Sequence, residues 1–286
     1  MYSKACLPGL LEGQCRLSHG SLGGVTLALT DRFAALVGSE PSALELDRAM
    51  LLIAAHERPE ISVDDQLQKI DDLAAGCSAP TVDGVRRQLF QFDGFAGDSA
   101  DYYNPDNSLL DQVLLRRVGI PITLSVLAIE VGRRLGVPMD PVGMPGHFLI
   151  RDRVLSDVFV DPFHGGAQLS ASQCRRFFHT MHGPNAPWDD SYLEPVGKVD
   201  VLYRSLNNLR AISVQTGEAE REIWVLRLMS RLPGAPVEPA TTLVQLLVAR
   251  GQYDEAADEL DHLGEVAPEQ REQARRRAVN LRSRLN

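Results

Sequence analysis

One apolar helix constrains the fold of this chain more than any other feature. After the segment 119–121 the sequence predicts a helix that runs to Leu135, with apolar residues on nearly every side. A helix without a polar face is buried by other elements, so this one predicts the centre of a core. It ends with two arginines in its last turn, Gly136 after them and Pro138 beyond, which is a well-formed C-terminal stop signal.

The segments on the two sides of this helix differ in pattern. Residues 27–89 have helical spacing, with punctuation at Pro59 and at 76–80. After the helix come short segments that predict strands, at 142–144, 147–151 and 158–161. A helical half that continues into a small antiparallel sheet favours an α+β fold.

A polar, aromatic and turn-rich stretch at residues 94–108 precedes the apolar helix. Loops of this length inside a compact domain are often functional. Tyr102, Tyr103 and Asn107 lie in this stretch. We expect them either to line a cleft or to serve in loop packing and capping, with Asn107 or Ser108 as the cap of the next helix.

The last third of the chain is predicted to be helical. A linker rich in Pro, Gly and Asp is expected at 184–198, after a loosely ordered N-terminus at 1–23 and a main domain at 24–183. Small residues and Pro268 near the end of the chain are typical of a tetratricopeptide hairpin. One or two such repeats do not bury their own faces, so we expect the tail, residues 199–286, to pack on the main domain.

The composition excludes several classes of function. A formal net charge of −9 argues against general nucleic-acid binding, and no run of 18 apolar residues predicts a membrane span. The first 13 residues contain no apolar signal-peptide core, and the cysteines form no CxxC pair, so a cytoplasmic protein with reduced thiols is predicted. No Gly-rich phosphate loop follows a strand, so no cofactor is expected.

Three features lie in chain order: the start of the apolar helix, His147 and Asp161. A nucleophile at a helix start, with a strand His and a strand Asp behind it, is the triad arrangement of cysteine acyl transferases. The helix start lowers the pKa of a thiol, the His moves the proton and the Asp fixes the His tautomer. The alternatives are a satisfied core His147 and, at Asp161 before Pro162, an Asx turn.

Seven short motifs occur in one order along the main domain. They lie at residues 46–56, 94–97, 101–108, 117–122, 134–136, 144–148 and 161–165. Together they resemble the SirB-type branch of the transglutaminase-like superfamily, and several motifs in one order are a specific signal. The resemblance implies a papain-like α+β fold, a helical-repeat tail, and His147 and Asp161 in the catalytic His and Asp positions.

The chain departs from this family at the nucleophile. Superfamily enzymes have a cysteine at the start of the buried helix, and here that position is at or near Pro121. No cysteine lies between Cys77 and Cys174. Thr123 and Ser125 carry the nearest hydroxyls. Thr123 lies about 200° around the helix axis and Ser125 lies about 6 Å deeper, so either one replaces the thiol only if the helix start is irregular.

Three further groups have two interpretations each. Glu130, in the apolar helix, either pairs with an arginine or lines the cleft, because an unpaired buried carboxylate is costly. His179 and His182 are expected to complement a helix dipole rather than to bind a metal. The arginine-rich C-terminal helix is expected to be a solvated face, with an acidic partner as the alternative.

We therefore predict an α+β transglutaminase-like domain with a C-terminal helical extension. Its expected function is to bind a protein or peptide, with little or no catalysis, in a degenerate cleft around His147 and Asp161. The expected cleft-lining residues are Tyr102, Tyr103, Asn107, Pro121 and Glu130. The alternatives are an acyl-transfer hydrolase that uses Ser125 or Thr123, and a structural subunit whose cleft is plugged by side chains.

Overall fold

The computed structural model describes residues 19–40 and 42–285, and within them it contains twelve α-helices and six β-strands. The helices are α1 (His19–Val37), α2 (Leu46–Glu57), α3 (Val63–Ala75), α4 (Val82–Arg87), α5 (Leu110–Arg116), α6 (Pro121–Arg134), α7 (Ala171–His182), α8 (Lys198–Thr216), α9 (Ala219–Ser230), α10 (Val237–Ala249), α11 (Tyr253–Val266) and α12 (Arg271–Arg282). The strands are β1 (Ala96–Gly97), β2 (Val118–Gly119), β3 (Met139–Val142), β4 (Leu149–Asp152), β5 (Val158–Asp161) and β6 (Ala167–Ser170). Most of the expected loose N-terminus lies outside the described residues, and α1 begins at His19, before the expected boundary.

Helix α6 lies at the centre of the core, as its all-round apolar pattern predicts. Leu124, Val126 and Leu127 are fully buried. Helices α2, α3, α4, α5 and α8 pack around α6, and strands β3 and β4 cover its remaining side. The α+β fold class is confirmed, with far more helix than strand.

Strands β3 to β6 form an antiparallel sheet in sequential order. Ile150 of β4 pairs with Pro141 of β3 on one side and with Val160 of β5 on the other. Strand β4 begins at Leu149, two residues later than predicted, so His147 belongs to the tight turn before the strand. Its N–H donates to the Met144 carbonyl at 3.0 Å, and Gly146 adopts a φ of 74°, which favours glycine.

Strand β6 was not predicted as an element, and helix α7 was predicted only by its end, where His179 and His182 were expected to complement a helix dipole. β6 is a largely exposed edge strand, so it lacks the apolar alternation by which a strand is recognised. Helix α7 begins with a capping box, in which Ser170 accepts from the Gln173 N–H and the Gln173 side chain accepts from the Ser170 N–H. That Ser-x-x-Gln signal is present in the sequence.

The long loop after α4 is tied to the start of α6. Strands β1 and β2 pair in parallel, with Ala96 opposite Val118 and Gly97 opposite Gly119. The Gly97 N–H also donates to the Phe163 carbonyl at 3.2 Å. A Cβ atom at Gly97 would lie 2.3 Å from the Phe163 ring, so only glycine allows the loop to approach the end of β5 this closely.

The helices after residue 198 pack on the main domain, as expected for the tail. One hydrophobic core contains buried residues of α2, α6, α8, α9 and α11. At the contact between α2 and α9, His56 stacks on Trp224 and Arg221 donates to Glu57 at 2.6 Å. None of the described helices is long and apolar enough to cross a bilayer.

Candidate functional site

His147 and Asp161 form a hydrogen-bonded pair. The turn before β4 supplies His147, and Asp161 is the last residue of β5. The His147 Nε2 donates to Asp161 Oδ1 at 2.9 Å, and the two residues are only 6% and 2% exposed. The pair therefore has the geometry in which a carboxylate orients an imidazole and fixes its tautomer.

Asp161 has further donors besides His147. His164 donates from Nδ1 to Oδ2 at 2.7 Å, and the backbone N–H groups of Phe163 and His164 donate to Oδ1. The two backbone bonds are those of an Asx turn, so both interpretations of Asp161 hold in one residue. Burial raises the pKa of Asp161, but the hydrogen bonds and charges of His147 and His164 outweigh it and hold the pKa below its usual range.

Aromatic rings enclose the His147 imidazole. Phe177 of α7 lies edge-on to it with ring centroids 4.9 Å apart, and Phe163 lies edge-on at 6.1 Å. Tyr102 packs on Phe163 at 5.8 Å, which connects the long loop to this cluster. These rings shield the His–Asp pair from water on the side of α7 and the loop.

The same three polar side chains could hold a metal ion. One ligand atom each from His147, Asp161 and His164 lie within 4.8 Å of one another. Hydrogen bonds to Asp161 already account for the position of both imidazoles. His179 and His182 instead contact the carbonyls of Gly183 and Pro145. The expectation that no metal is bound stays a prediction.

A pocket of about 290 Å³ opens beside His147 at the start of α6. Pro121, the first residue of α6, lines it together with Ile122 and Tyr102. The pocket therefore places Pro121 and His147 on a common cavity, and the resemblance implies these as the positions of the nucleophile and its base. Helix α8 supplies the remaining polar lining, which consists of Arg204, Asn207 and Asn208.

Neither predicted hydroxyl nucleophile pairs with His147. The Thr123 hydroxyl donates to the Asn107 carbonyl at 2.8 Å and accepts from the Ile120 N–H at 3.1 Å. The Ser125 hydroxyl is fully buried and has no hydrogen-bond partner among the described residues. The regular start of α6 at Pro121 explains both positions, because a regular helix turns Thr123 away and carries Ser125 deeper.

The remaining cysteine near the site is not a nucleophile either. Cys174 of α7 is fully buried. Burial, together with the nearby Asp161 charge, raises the pKa of its thiol to about 12. Because the thiolate is the reactive form, Cys174 is inert at neutral pH.

Three residues predicted to line the cleft lie elsewhere. Asn107 is fully buried, and its amide donates to Asp98 and to the Asp101 carbonyl, so it holds the loop in shape. Tyr103 is 66% exposed and packs on Tyr102, outside the pocket lining. Glu130 is at the opposite end of α6, about 13 Å along the axis from Pro121.

Glu130 belongs to a network of charges at the C-terminal end of α6. It accepts from Arg133 at 2.6 Å and from the Leu46 N–H at 3.3 Å. Arg134 pairs with the fully buried Asp47 at 2.7 Å. Burial and the Asp47 charge raise the pKa of Glu130 despite the bond from Arg133. The arginine-pairing interpretation of Glu130 is thus correct and the cleft-lining one is wrong.

Sequence reasoning missed the contribution of α8 to the site. Arg204 Nη2 donates to the His147 carbonyl at 3.1 Å and to the Met144 carbonyl at 3.4 Å. It therefore holds the turn that positions His147. Arg204 lies 57 residues after His147 in a segment assigned to the tail, so no local motif indicated it.

The family comparison covers the whole site except one residue. A family model described as the transglutaminase-like superfamily matches residues 49–207. The match includes Pro121, His147 and Asp161, and it extends into α8 as far as Asn207. Asn208, which also lines the pocket, lies just beyond it.

Curated relatives share the same part of the chain. A UPF0162 protein of Xylella fastidiosa (strain Temecula1) is 41% identical over 157 residues, which are 53% of this chain and 56% of that protein. The chain thus spans little more than half the length of this relative. A UPF0162 protein of Pseudomonas aeruginosa is 32% identical over 191 residues, which are 64% of this chain and 69% of that protein.

A third relative is much longer. Human F-box only protein 21 is 39% identical over 102 residues, which are 32% of this chain but only 16% of that protein. No solved structure matches the chain.

Proposed function

Because this chain belongs to the transglutaminase-like superfamily and to the UPF0162 family, we propose that it uses the superfamily's cleft to bind a protein or peptide segment without acyl-transfer catalysis. The proposal places the bound segment in the pocket between the start of α6, the His147 turn and α8. It also includes two finer points, the SirB-type branch and a tetratricopeptide-like role for the helices after α8 in holding the partner.

One observation carries the proposal: the site keeps the base and its carboxylate but has a proline where the nucleophile belongs. His147 donates to Asp161 through Nε2, while its Nδ1 forms no hydrogen bond with any described residue. In a Cys–His pair the free nitrogen would face the thiol. Here Pro121 lines the same pocket, and its ring offers no group that can attack a carbonyl.

The loss of the nucleophile removes most of the catalytic power of such a site. General acid–base catalysis by a positioned imidazole contributes about 10² to 10⁴-fold by itself. The covalent step that a thiol provides has no replacement, because Thr123 bonds elsewhere and Ser125 is fully buried without a bond to His147. The cleft nevertheless persists as a concave, partly polar surface, which is the usual form of a binding site.

The pocket is not plugged by side chains, which argues against a purely structural role. A volume of about 290 Å³ beside His147 has room for one amino-acid side chain and its backbone. Tyr103, exposed next to Tyr102, offers an aromatic surface beside the opening. Exposed tyrosines at such places are common in protein interfaces.

A displayed library of random peptides tests this function. The full chain and the variant Asn207→Trp are immobilised in parallel; residue 207 is exposed on α8, so the indole fills the pocket without disturbing the core. We expect peptides that bind the unmodified chain at least ten-fold more tightly than the variant. Equal binding to both would overturn the location of the site.

A second measurement tests the absence of catalysis. Peptide p-nitroanilides and thioesters are incubated with the unmodified chain and with His147→Ala. We expect no release that depends on His147. Turnover that His147→Ala abolishes would overturn the non-catalytic proposal and establish an acyl-transfer hydrolase.

A further inference from the structure

Arg204 carries a positive charge into the pocket without a partner of opposite charge. Its side chain is partly buried in α8, and its guanidinium lies over the Phe148 ring at 5.0 Å. Nη2 donates to the His147 and Met144 carbonyls, while Nε and Nη1 form no hydrogen bond with a described residue. No described carboxylate forms an ion pair with it.

The other arginines of the molecule show how unusual this is. Every other described arginine that is buried or partly buried pairs with at least one carboxylate. On the same helix, Arg210 pairs with Glu238 at 2.7 Å, and on the next helix Arg221 pairs with Glu57 at 2.6 Å. This chain therefore neutralises its partly buried arginines wherever they serve structure alone.

An unpaired cation in this place has an energetic cost. Burial lowers the pKa of Arg204, and the described residues place no carboxylate beside it. Taking a charge out of water without a counter-charge is unfavourable. A bound anion would supply the missing counter-charge, and bonds from arginine to a carboxylate are among the stronger hydrogen bonds in proteins.

The rest of the pocket lining also suits an anion. No Asp or Glu lines the pocket. The side-chain amides of Asn207 and Asn208 form no hydrogen bond with a described residue, and both line the cavity beside Arg204. The positive N-terminal end of α6 closes the pocket at Pro121 and Ile122.

From these observations we propose that the pocket recognises a carboxylate of the bound peptide, with Arg204 as its counter-charge and Asn207 and Asn208 as further hydrogen-bond donors. The inference rests on the proposed peptide-binding function and names the chemical group that is bound. A single guanidinium matches a monoanion, and a volume of about 290 Å³, roughly ten water molecules, fits one terminal or acidic residue. The carboxylate belongs either to the peptide C-terminus or to an Asp or Glu side chain.

Small probes test the carboxylate directly. The ¹⁵N-labelled full chain is titrated with N-benzoylglycine, with its neutral analogue N-benzoylglycinamide, and with N-acetylaspartic acid 1-amide, while the side-chain amide signals of Asn207 and Asn208 are followed. We expect both acids to shift these signals and the neutral amide to bind at least ten-fold more weakly. The tighter of the two acids identifies the terminal or the side-chain source.

Variants assign the counter-charge. Arg204→Gln is expected to weaken N-benzoylglycine binding at least ten-fold, and Arg204→Lys, which keeps the charge, by less. Since Arg204 also holds the His147 turn, Asn207→Ala with Asn208→Ala provides a surface change that leaves this contact intact, and about a five-fold loss is expected. Arg210→Gln, on the same helix but outside the pocket, is the matched control and should bind within two-fold of the unmodified chain.

The outcomes separate this inference from the proposed function. Equal binding of N-benzoylglycine and its amide would overturn the carboxylate inference and leave peptide binding standing. If library peptides bind in this pocket while neither acid shifts the asparagine signals, the carboxylate inference is also overturned and peptide binding again stands. Inorganic phosphate that competes as well as the acids would also overturn the carboxylate inference, because the pocket would then be a general anion site. Failure of the peptide library itself would instead overturn the proposed function.

Discussion

The two ends of helix α6 differ in how the polar and charged groups around them are paired. At the C-terminal end, buried charges are paired: Glu130 with Arg133, and Asp47 with Arg134. At the N-terminal end, the side-chain amides of Asn207 and Asn208 have no hydrogen-bond partner among the described residues, and no described carboxylate pairs with Arg204. Both ends lie on one largely buried helix, so burial alone does not distinguish them.

The difference indicates which end serves stability and which serves binding. A paired, hydrogen-bonded network rigidifies the packing of α6 against α2. Unpaired donors around a cavity contribute nothing to folding and are maintained at a cost, as expected at a functional site. A buried polar residue therefore indicates a structural role where the chain supplies its partners, and a binding role where the chain does not.

The largest expected effect comes from breaking the paired end. Asp47→Ala removes the fully buried carboxylate that pairs with Arg134 at 2.7 Å and leaves this arginine only Asp71 and the more distant Glu130; the loss of one member of a buried pair costs up to about 3–5 kcal/mol. Urea unfolding of the unmodified chain and of Asp47→Ala measures this change in the free energy of unfolding. Asp64→Ala, which removes an 84% exposed carboxylate that contacts Arg48, is the control and should cost less than about 1 kcal/mol. Similar losses for both variants would contradict the structural role of this end.

Acid tests a second fully paired region, the contact between α2 and α9. Burial lowers the pKa of His56 to about 4, outweighing the bond to the Leu52 carbonyl that favours the charged form. The unfolded chain then binds more protons than the folded chain, so stability is complete above about pH 6.5 and falls toward pH 4. The expected loss is about 3 kcal/mol.

Urea unfolding at several pH values measures this loss. The matched variant is His56→Phe, which keeps a ring against Trp224 and removes the titrating group. Its stability should decline less between pH 6.5 and pH 4 than that of the unmodified chain. The same slope in both chains would exclude His56 as the cause.

Placing a thiol at the N-terminal end of α6 should change the rate of thiol alkylation by about ten-fold. In the variant Pro121→Cys the thiol lies at the helix start and on the pocket shared with His147. The helix start and the neighbouring His147 both lower the pKa of this thiol. Alkylation by iodoacetamide at pH 7 should therefore be roughly ten-fold faster than for an unperturbed cysteine. Adding His147→Ala to this variant should remove part of the acceleration. A rate equal to that of a free cysteine would show that Pro121 is not in the nucleophile position.

The smallest expected effect concerns the hydroxyl inside α6. Ser125 is fully buried without a hydrogen-bond partner, so Ser125→Ala removes an unsatisfied polar group. We expect a gain in stability of about 0.5–1 kcal/mol, measured by urea unfolding, and no change in peptide binding. A loss of binding or of any hydrolytic activity would revive Ser125 as a functional residue.

The sequence was informative wherever the signal was local. The all-round apolar pattern located α6, and the strand ending at Asp161 placed this carboxylate where it meets His147. The family resemblance, through its short motif at 117–122, located Pro121 on the cleft. These features depend on a few neighbouring residues, which is the range over which periodicity and capping rules operate.

The sequence was misleading wherever the answer depended on distant partners. Glu130 and Asn107 are buried polar residues near predicted cleft segments, yet their partners, Leu46 and Asp98 among them, turn them into structural groups. Arg204 was overlooked because its contacts with the His147 turn come from the predicted tail. Residue type and spacing predict burial, while the identity of a long-range partner decides the role.

The contact between Arg204 and the His147 turn has a consequence for how the site comes into existence. Both residues of the His–Asp pair belong to the chain up to Asp161, while Arg204 of α8 holds the turn that carries His147. The pocket needs α8 as well, because Arg204, Asn207 and Asn208 form one of its sides. During synthesis, therefore, both residues of the His–Asp pair emerge well before the residues that complete the cavity and hold the His147 turn. The binding surface is completed only when residue 208 has emerged and α8 has docked, so a chain that folds only in part offers no pocket to a ligand.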